Sequence, residues 1–325
     1  LNGSMPEGVG YSQMTRRGRF RGSTARTFLS RAKKRRSVRI ETEAIVTGLI
    51  FENKKCIGVK FTQKGKEHEI FAGKEIVLSG GAVNSPHILQ VSGIGPQNHL
   101  QSIGVKTVHD LPGVGQNLQD HYVSRVSHRV KNTVSINQLS RGIRLLREIG
   151  SWAFQGKGAL TFGITSAMVF SRSREGLSSP DIQLLFTPAS YSQKTHGELE
   201  KEGGMTVVVC PVRPSSRGTI MAESSDALTR PLIRPNYLSD PDDIRVMIAG
   251  FRQAREILSQ PAFKPFSVEE TVPGQMLQSD DELEKFARDN GSIIYHPVST
   301  CKMGEDPMAV VDSRLRVHGI EGLRV

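Results

Sequence analysis

The sequence predicts a mixed fold in which an α/β region is joined to an α+β region built on an antiparallel sheet. Three observations support this prediction. A strand, a glycine turn and a helix follow one another over residues 76–96. Segments typical of sheet strands recur between residues 122 and 210. Strong helix starts occur at Asp240 and Ser279, where acidic residues follow a capping side chain.

The stretch 76–96 has the pattern of one α/β unit. Its first three residues are an apolar, β-branched run that suits a buried strand. The turn Ser79-Gly80-Gly81 frees the backbone from Cβ constraints. We expect Asn84 or Ser85 to cap a helix whose first residue is Pro86, and Gly93 to end it in a left-handed turn. Open α/β sheets receive ligands at such turns, although many of these turns only pack.

The remaining elements follow from local patterns. Residues 38–42 alternate as a half-buried strand does, strand-like residues continue over 44–51, and 56–61 return antiparallel to them. Further strands are expected at 105–111, 122–130, 181–186 and 206–210, and a helical stretch follows Ser135. A helix begins after the Asp240 cap, and a second begins in a capping box at 279–282 and ends at Asn290-Gly291.

Length and composition limit the class of protein. A chain of 325 residues suggests about two domains. No run approaches the ~18 apolar residues of a membrane span. The three cysteines and nine histidines show no metal-ligand spacing, so neither a metal site nor a disulfide framework is expected. A reducing compartment follows, and we expect a cytoplasmic protein, with peripheral membrane attachment as the alternative.

The net charge of +11 is concentrated in one segment. Eleven basic residues and no acidic residue lie between Arg16 and Arg39. Such a segment can bind nucleic acid or an anionic membrane, and a non-catalytic module with this role is the alternative function. A solvated face is favoured, because only Phe20 and Phe28 interleave with the basic residues and no nucleic-acid motif is present. No nucleic-acid partner is expected, and membrane association stays open.

The segment 293–304 contains the strongest candidate for a catalytic side chain. His296 follows two isoleucines and Tyr295, and Pro297 restricts the chain directly after it. This arrangement can hold one imidazole rigidly at the rim of a sheet, and imidazole transfers protons near neutral pH. A structural histidine is the alternative. Cys301 lacks a partner nearby in sequence and is interpreted as a small buried hydrophobic residue.

Six segments, in order, resemble one enzyme family. GGAVNSPHILQVSGIG at 80–95 is similar to the second signature of the glucose–methanol–choline (GMC) oxidoreductases, and YHPVSTCKMG at 295–304 resembles their catalytic-histidine segment. The linking pieces also match: EGVGY at 7–11, GQNLQDH at 115–121, RPSSRG at 213–218 and NYLSDP at 236–241. The resemblance covers essentially the whole chain and is greatest to the choline-dehydrogenase-like branch.

The resemblance implies an FAD-dependent oxidoreductase acting on the CH–OH group of an alcohol. His296 would be the base that takes the hydroxyl proton while hydride passes to flavin N5. The backbone at Val46 would contact the adenine of FAD, and Ser79, Gly80 and Gly81 would lie beside the adenosine and pyrophosphate. Tyr295 would lie near the flavin. The implied partners are a small alcohol and either O2 or another electron acceptor. Because hydroxynitrile lyases share this scaffold, a non-redox activity is a further alternative.

The chain also departs from the family pattern. The N-terminal GxGxxG unit and the segment with the second catalytic residue have no counterpart in it. We therefore expect an incomplete FAD-binding domain that binds FAD poorly, so that this chain alone is inactive. The expected division is an FAD-binding Rossmann-like domain over 1–125, an antiparallel-sheet substrate domain over 126–292, and a return segment over 293–325 that carries His296. Pocket residues are expected from 155–170 and 183–192, as follows: Leu160, Phe162, Ile164, Phe186 and Tyr191.

Overall fold

The computed structural model describes residues 3, 7–193, 195 and 197–325. The chain forms two compact units. Unit 1 comprises residues 1–39, 121–215 and 240–294, and unit 2 comprises 40–120, 216–239 and 295–325. Among the residues described, no helix combines the length and the apolar character needed to cross a bilayer.

The strands, in chain order, are β1 Gly8–Tyr11, β2 Arg16–Arg17, β3 Phe20–Arg21, β4 Ala44–Glu52, β5 Lys55–Gln63, β6 Lys66–Phe71, β7 Ile76–Val77, β8 Ile94–Gly95, β9 His109–Asp110, β10 Tyr122–Val130, β11 Ala167–Ser171, β12 Ile182–Thr187, β13 Gly204–Pro211, β14 Thr219–Met221, β15 Leu232–Arg234, β16 Ser267–Val272, β17 Ser292–Ile293 and β18 Leu323–Arg324. The α-helices are α1 Ser30–Ala32, α2 Gly81–Val91, α3 Gln97–Ser102, α4 Ile136–Leu139, α5 Gly142–Gly150, α6 Pro241–Ser259 and α7 Asp280–Asn290. Ala25–Leu29 and Ser151–Gln155 are π-helical, and Ala159–Thr161 is a 3-10 turn.

Unit 1 is built on an antiparallel sheet with the strand order β1-β11-β12-β13-β10-β16, and β17 pairs with the start of β10. Helix α6 packs on one face of this sheet. A Cβ atom at Gly250 would lie 2.3 Å from Cγ1 of Val209 in β13, so the glycine permits the close approach of helix and sheet. Because side chains alternate along a strand, Val208 points to the opposite face.

Both long helices of unit 1 begin as their sequence signals predict. The Asp240 carboxylate accepts the Asp242 backbone N–H at 2.9 Å and caps α6. Ser279 and Glu282 form the predicted capping box of α7, which ends at Asn290. The capping hydrogen bonds join residues no more than three positions apart, so the local sequence is sufficient to predict where these helices begin.

Unit 2 contains the α/β unit. Strands β4, β5 and β6 form an antiparallel sheet, β7 pairs with β18 in parallel, and β8 pairs with β9 in parallel. Helix α2 packs on β4 and β14. The buried apolar side chains of these elements form one core, which includes Leu49, Cys56, Leu89, Ile94, Val310 and Leu323.

Three local predictions are wrong. Helix α2 begins at Gly81 rather than at Pro86, which lies inside it. The segment 38–42 is not a strand: Ile40 is 44% exposed, and no strand in the described part of the chain pairs with this segment. The strand predicted over 105–111 is reduced to His109–Asp110, the two residues that pair with β8. In contrast, Gly93 ends α2 with φ +91° as expected.

The two units differ from the predicted sequence ranges in two places. Residues 1–39 belong to unit 1, where β1 pairs with β11. Residues 216–239 belong to unit 2, where Gln90 accepts the Ala222 N–H at 2.7 Å and donates to the Ile220 carbonyl at 3.0 Å. The other transitions, at 120/121 and 294/295, lie close to the predicted boundaries at 125 and 292. The assignment of cofactor and substrate binding to these parts stays a prediction.

Candidate active site

The backbone at His296 is held by a buried carboxylate. The His296 N–H donates to Oδ1 of Asp120 at 2.8 Å, and the Tyr237 hydroxyl donates to Oδ2 at 3.1 Å. Asp120 is buried, whereas the His296 side chain is exposed. Hydrogen bonds to an ionised acceptor are among the stronger ones in proteins, so Asp120 positions this segment.

The residues around His296 adopt an unusual backbone conformation. Tyr295 and Ser299 have positive φ angles of 59° and 76°, which non-glycine residues seldom adopt. Such residues persist where the surroundings hold them. Here Gln119 donates through Nε2 to the Ser299 hydroxyl at 3.1 Å, and its backbone pairs with Val298. His296 therefore lies on a segment fixed from both sides.

Segments far apart in sequence meet around this loop within unit 2. Leu118 and Gly218 exchange two backbone hydrogen bonds of 2.9 Å, and the Gly115 N–H donates to the Thr300 carbonyl at 2.9 Å. Arg217 donates to the Asn117 side chain at 3.0 Å and accepts from Asn236 at 3.1 Å through its carbonyl. Parts of four of the six sequence motifs, those at 115–121, 213–218, 236–241 and 295–304, are therefore hydrogen-bonded to one another.

The glycine turn follows β7 at the carboxyl end of a parallel strand pair. Ser79, Gly80 and Gly81 are exposed. Gly81 has φ +75°, with no atom within 4 Å of a Cβ position. The first turn of α2 has no acidic side chain and no side-chain cap. Its backbone N–H groups and helix dipole therefore suit an anion, so the turn fits a phosphate-bearing cofactor.

Val46 lies in β4 opposite Phe61 and packs against the core of unit 2. The register shifts between Val46 and Gly48, so that Thr47 is an extra residue on this strand. A bulge of this kind leaves backbone groups outside the regular ladder. The main chain at Val46 is therefore compatible with a backbone contact to a flat ligand group.

Unit 1 contains a cavity of about 530 Å³ on the sheet face opposite α6. Its floor includes a row of residues that pair across three strands, Arg125, Val208 and Leu185. Ile164 and Tyr191, two of the residues expected in the substrate pocket, line it.

Three other expected pocket residues lie elsewhere. Phe186 points to the other face of the sheet, where its ring centroid is 6.1 Å from that of Phe263. Leu160 and Phe162 are 48% and 63% exposed and are not part of the cavity lining.

Burial shifts the pKa values of several groups. It lowers the pKa of the Arg125 guanidinium, although the nearby Glu200 and Tyr191 oppose this shift. It raises the pKa of the Tyr191 phenol. Burial also raises the pKa of Cys301 to about 12, so this thiol stays protonated and behaves as a small apolar group. Among the residues described, no cluster of three His, Cys, Asp or Glu side chains could hold a metal.

Two residues of these sites were missed by sequence reasoning. Asp120 lies in a quoted motif, but nothing in its spacing connects it with His296, 176 residues later. Arg125 lies in a predicted strand between Val123 and Val126. Because side chains two residues apart point to the same face of a strand, a charged residue two positions after Val123 could have indicated a polar group on a buried face.

The basic segment forms a small exposed substructure of unit 1. Strands β2 and β3 make a hairpin, and the Arg26 guanidinium lies 4.3 Å from the Phe20 ring centroid. The Trp152 indole N–H donates to the Arg19 carbonyl at 3.1 Å. Binding of nucleic acid or of an anionic membrane by this segment stays an alternative hypothesis, and the expectation of no nucleic-acid partner stays a prediction.

Comparison with known proteins gives a consistent result. The N- and C-terminal models of the GMC oxidoreductases match residues 1–123 and 214–325. An alcohol dehydrogenase (acceptor) of Pseudomonas putida is 39% identical over 100% of this chain and 59% of its own length. An oxygen-dependent choline dehydrogenase of Pectobacterium carotovorum is 39% identical over 100% of this chain and 58% of its own.

A structural comparison agrees with the sequence matches. The structure of a formate oxidase from Aspergillus oryzae superposes with a TM-score of 0.91 at 27% identity, covering 100% of this chain and 61% of that one. The chain thus spans about three fifths of the length of these relatives. On the two matched models and these relatives, the chain belongs to the GMC oxidoreductase family.

Proposed function

We propose that the natural full-length protein is an FAD-dependent oxidoreductase that acts on the CH–OH group of an alcohol. The observation that carries the proposal is the His296 segment, which is fixed by Asp120 and by the pairing of Gln119 with Val298. Membership of the GMC family and the alcohol and choline dehydrogenases among its relatives support it.

The cofactor proposal rests on unit 2. Backbone groups of Ser79, Gly80 and Gly81 would lie beside the adenosine and pyrophosphate of FAD, because the turn is exposed and the start of α2 attracts anions. The backbone at Val46 would contact the adenine, and Tyr295, 69% exposed, would lie near the flavin. FAD, when bound, supplies the acceptor of a hydride.

His296 would act as the base. Its imidazole accepts the proton of the substrate hydroxyl, which leaves the oxygen with more negative charge and weakens the adjacent C–H bond toward loss as hydride. The alcohol thereby loses a proton and a hydride and becomes a carbonyl compound. The final electron acceptor would be O2 or another oxidant.

Replacing His296 tests the proposal. In the natural full-length protein, we expect His296→Ala to lower kcat for alcohols by about 100-fold or more, because a general base contributes on this scale. The FAD content, measured from its visible absorbance, should be unchanged. The matched control is His68→Ala, which removes an imidazole stacked on Phe61 at 5.0 Å.

Two outcomes would contradict the proposal. An equal loss of FAD and activity in His296→Ala would make His296 a structural residue. Cleavage of a cyanohydrin without alcohol-dependent flavin reduction would favour a non-redox activity on the same scaffold.

A further inference from the structure

The floor of the unit 1 cavity includes a positively charged side chain, that of Arg125. Among the described residues that line the cavity, Arg125 and Asp289 carry formal charges at neutral pH. Asp289 is 55% exposed and is paired with Lys285 at 2.6 Å, so its charge is compensated outside the cavity. Arg125 is half-buried on β10, which lies between β13 and β16 in the sheet. A ligand in the cavity therefore meets a positive rather than a negative side chain.

The guanidinium of Arg125 retains donors for a ligand. Its hydrogen bond to the Ser192 carbonyl is long, at 3.3 Å, and uses one nitrogen, Nη2. The nearby Glu200 carboxylate is already bound by Arg129 at 3.1 Å. Five N–H donors in a planar fork match the two oxygens of a carboxylate.

Tyr191 also lines the cavity. Thr165, Thr187, Gln193 and Asn290 add polar groups to the same lining. Polar side chains with hydrogen-bond donors thus line the same partly enclosed site as the guanidinium. This composition suits a ligand rich in oxygen acceptors.

We propose that Arg125, together with Tyr191, binds a carboxylate of the alcohol substrate, so that hydroxycarboxylic acids are preferred to choline. This inference rests on the proposed function. A quaternary ammonium group placed in the same cavity would be repelled by the like charge of Arg125, and this repulsion is stronger in a partly enclosed site than in bulk water. The choline dehydrogenase relatives would therefore share the scaffold but not the substrate class.

The test uses the natural full-length protein and three alcohols of similar length: γ-hydroxybutyrate, n-butanol and choline. We expect the highest kcat/KM for γ-hydroxybutyrate. Arg125→Gln should lower it roughly 10- to 100-fold, mainly through KM, because a charge-assisted hydrogen bond is lost. The ratio of kcat/KM for γ-hydroxybutyrate to kcat/KM for n-butanol should therefore fall, because n-butanol has no charged group to lose a partner. Arg125→Lys, which keeps the charge, should retain part of the preference.

The matched control is Arg252→Gln. This exposed arginine lies on α6, which packs on the other face of the sheet, and it is ion-paired with Asp280. It should not change the ranking of the three alcohols.

Binding of butyrate, measured by calorimetry, separates this inference from the proposed function. Butyrate should bind the wild type and Arg252→Gln equally well, and it should bind Arg125→Gln roughly 10- to 100-fold more weakly. If butyrate binds in this way but the protein oxidises none of the alcohols, the carboxylate site is supported and the proposed activity is refuted. A choline preference in the wild type, or butyrate binding that is equal in all three proteins, would overturn the inference.

Discussion

The Thr300 hydroxyl donates a hydrogen bond of 2.6 Å to the carbonyl of Ala82 in the first turn of α2. In a regular helix this carbonyl would accept the backbone N–H four residues later, but that residue is Pro86, which has no N–H. Thr300 therefore supplies the donor that the proline lacks. The contact joins the glycine-turn motif to the motif that contains His296, within unit 2.

The first prediction concerns this pair. Thr300→Val keeps the shape of the side chain but leaves the Ala82 carbonyl without this donor, so we expect a loss of about 1–3 kcal/mol in the free energy of unfolding. In a Pro86→Ala background, where the backbone N–H is restored, Thr300→Val should lower the free energy of unfolding by clearly less. Urea unfolding of the four proteins measures the difference. Equal costs in both backgrounds would show that the hydroxyl acts independently of the proline.

The second prediction concerns Asp120. Asp120→Asn weakens two hydrogen bonds, from the His296 N–H and the Tyr237 hydroxyl, because the charged acceptor is lost. We expect a loss of about 1.5–3 kcal/mol in the free energy of unfolding, and about 1 kcal/mol for Tyr237→Phe. Glu67→Gln, on the exposed strand β6, is the control and should lie within about 0.5 kcal/mol of the wild type. A neutral effect of Asp120→Asn would remove Asp120 as the residue that positions His296.

The third prediction concerns the contact of α6 with the sheet. Gly250→Ala places a methyl group 2.3 Å from Cγ1 of Val209, so we expect destabilisation by about 1–3 kcal/mol. Val209→Ala in the same chain should recover part of this loss. Gly150→Ala is the matched control: it lies at the end of α5 with open space around its Cβ position, and it should stabilise by about 0.5–1 kcal/mol. Thermal unfolding distinguishes the two glycines, and similar shifts for both would contradict the close packing.

The fourth prediction concerns pH. Burial raises the pKa of Cys56 to about 11 and that of Cys301 to about 12, from an ordinary value of 9.0. Between these values the unfolded chain has lost thiol protons that the folded chain keeps, so the free energy of unfolding should fall as the pH rises above about 9. Below that pH the thiols should contribute no pH dependence.

Thiol chemistry checks the same shifts. At pH 8 a thiol-specific reagent should react slowly with the folded chain and rapidly in urea, because the thiolate is the reactive form. Replacing Cys301 with Ser should remove part of the pH dependence. Rapid labelling of Cys301 in the folded chain would contradict the burial of this thiol.

The sequence by itself determined the local elements and the family. The starts of α6 and α7 could be predicted, since their capping bonds join residues two or three positions apart. Strands such as β10 and β13 could be predicted because their composition and spacing are local properties. The order of six short motifs was sufficient to indicate the GMC family, which the comparisons confirm.

Only the tertiary structure decided which distant residues meet. Helix α2 starts before Pro86 because Thr300, 218 residues from Ala82, satisfies the carbonyl that the proline cannot. Asp120 holds His296 across 176 residues, and the pairing of β10 with β13 places Arg125 beside Val208 on the cavity face. Contacts of this kind depend on the path of the whole chain, and local patterns do not contain that information.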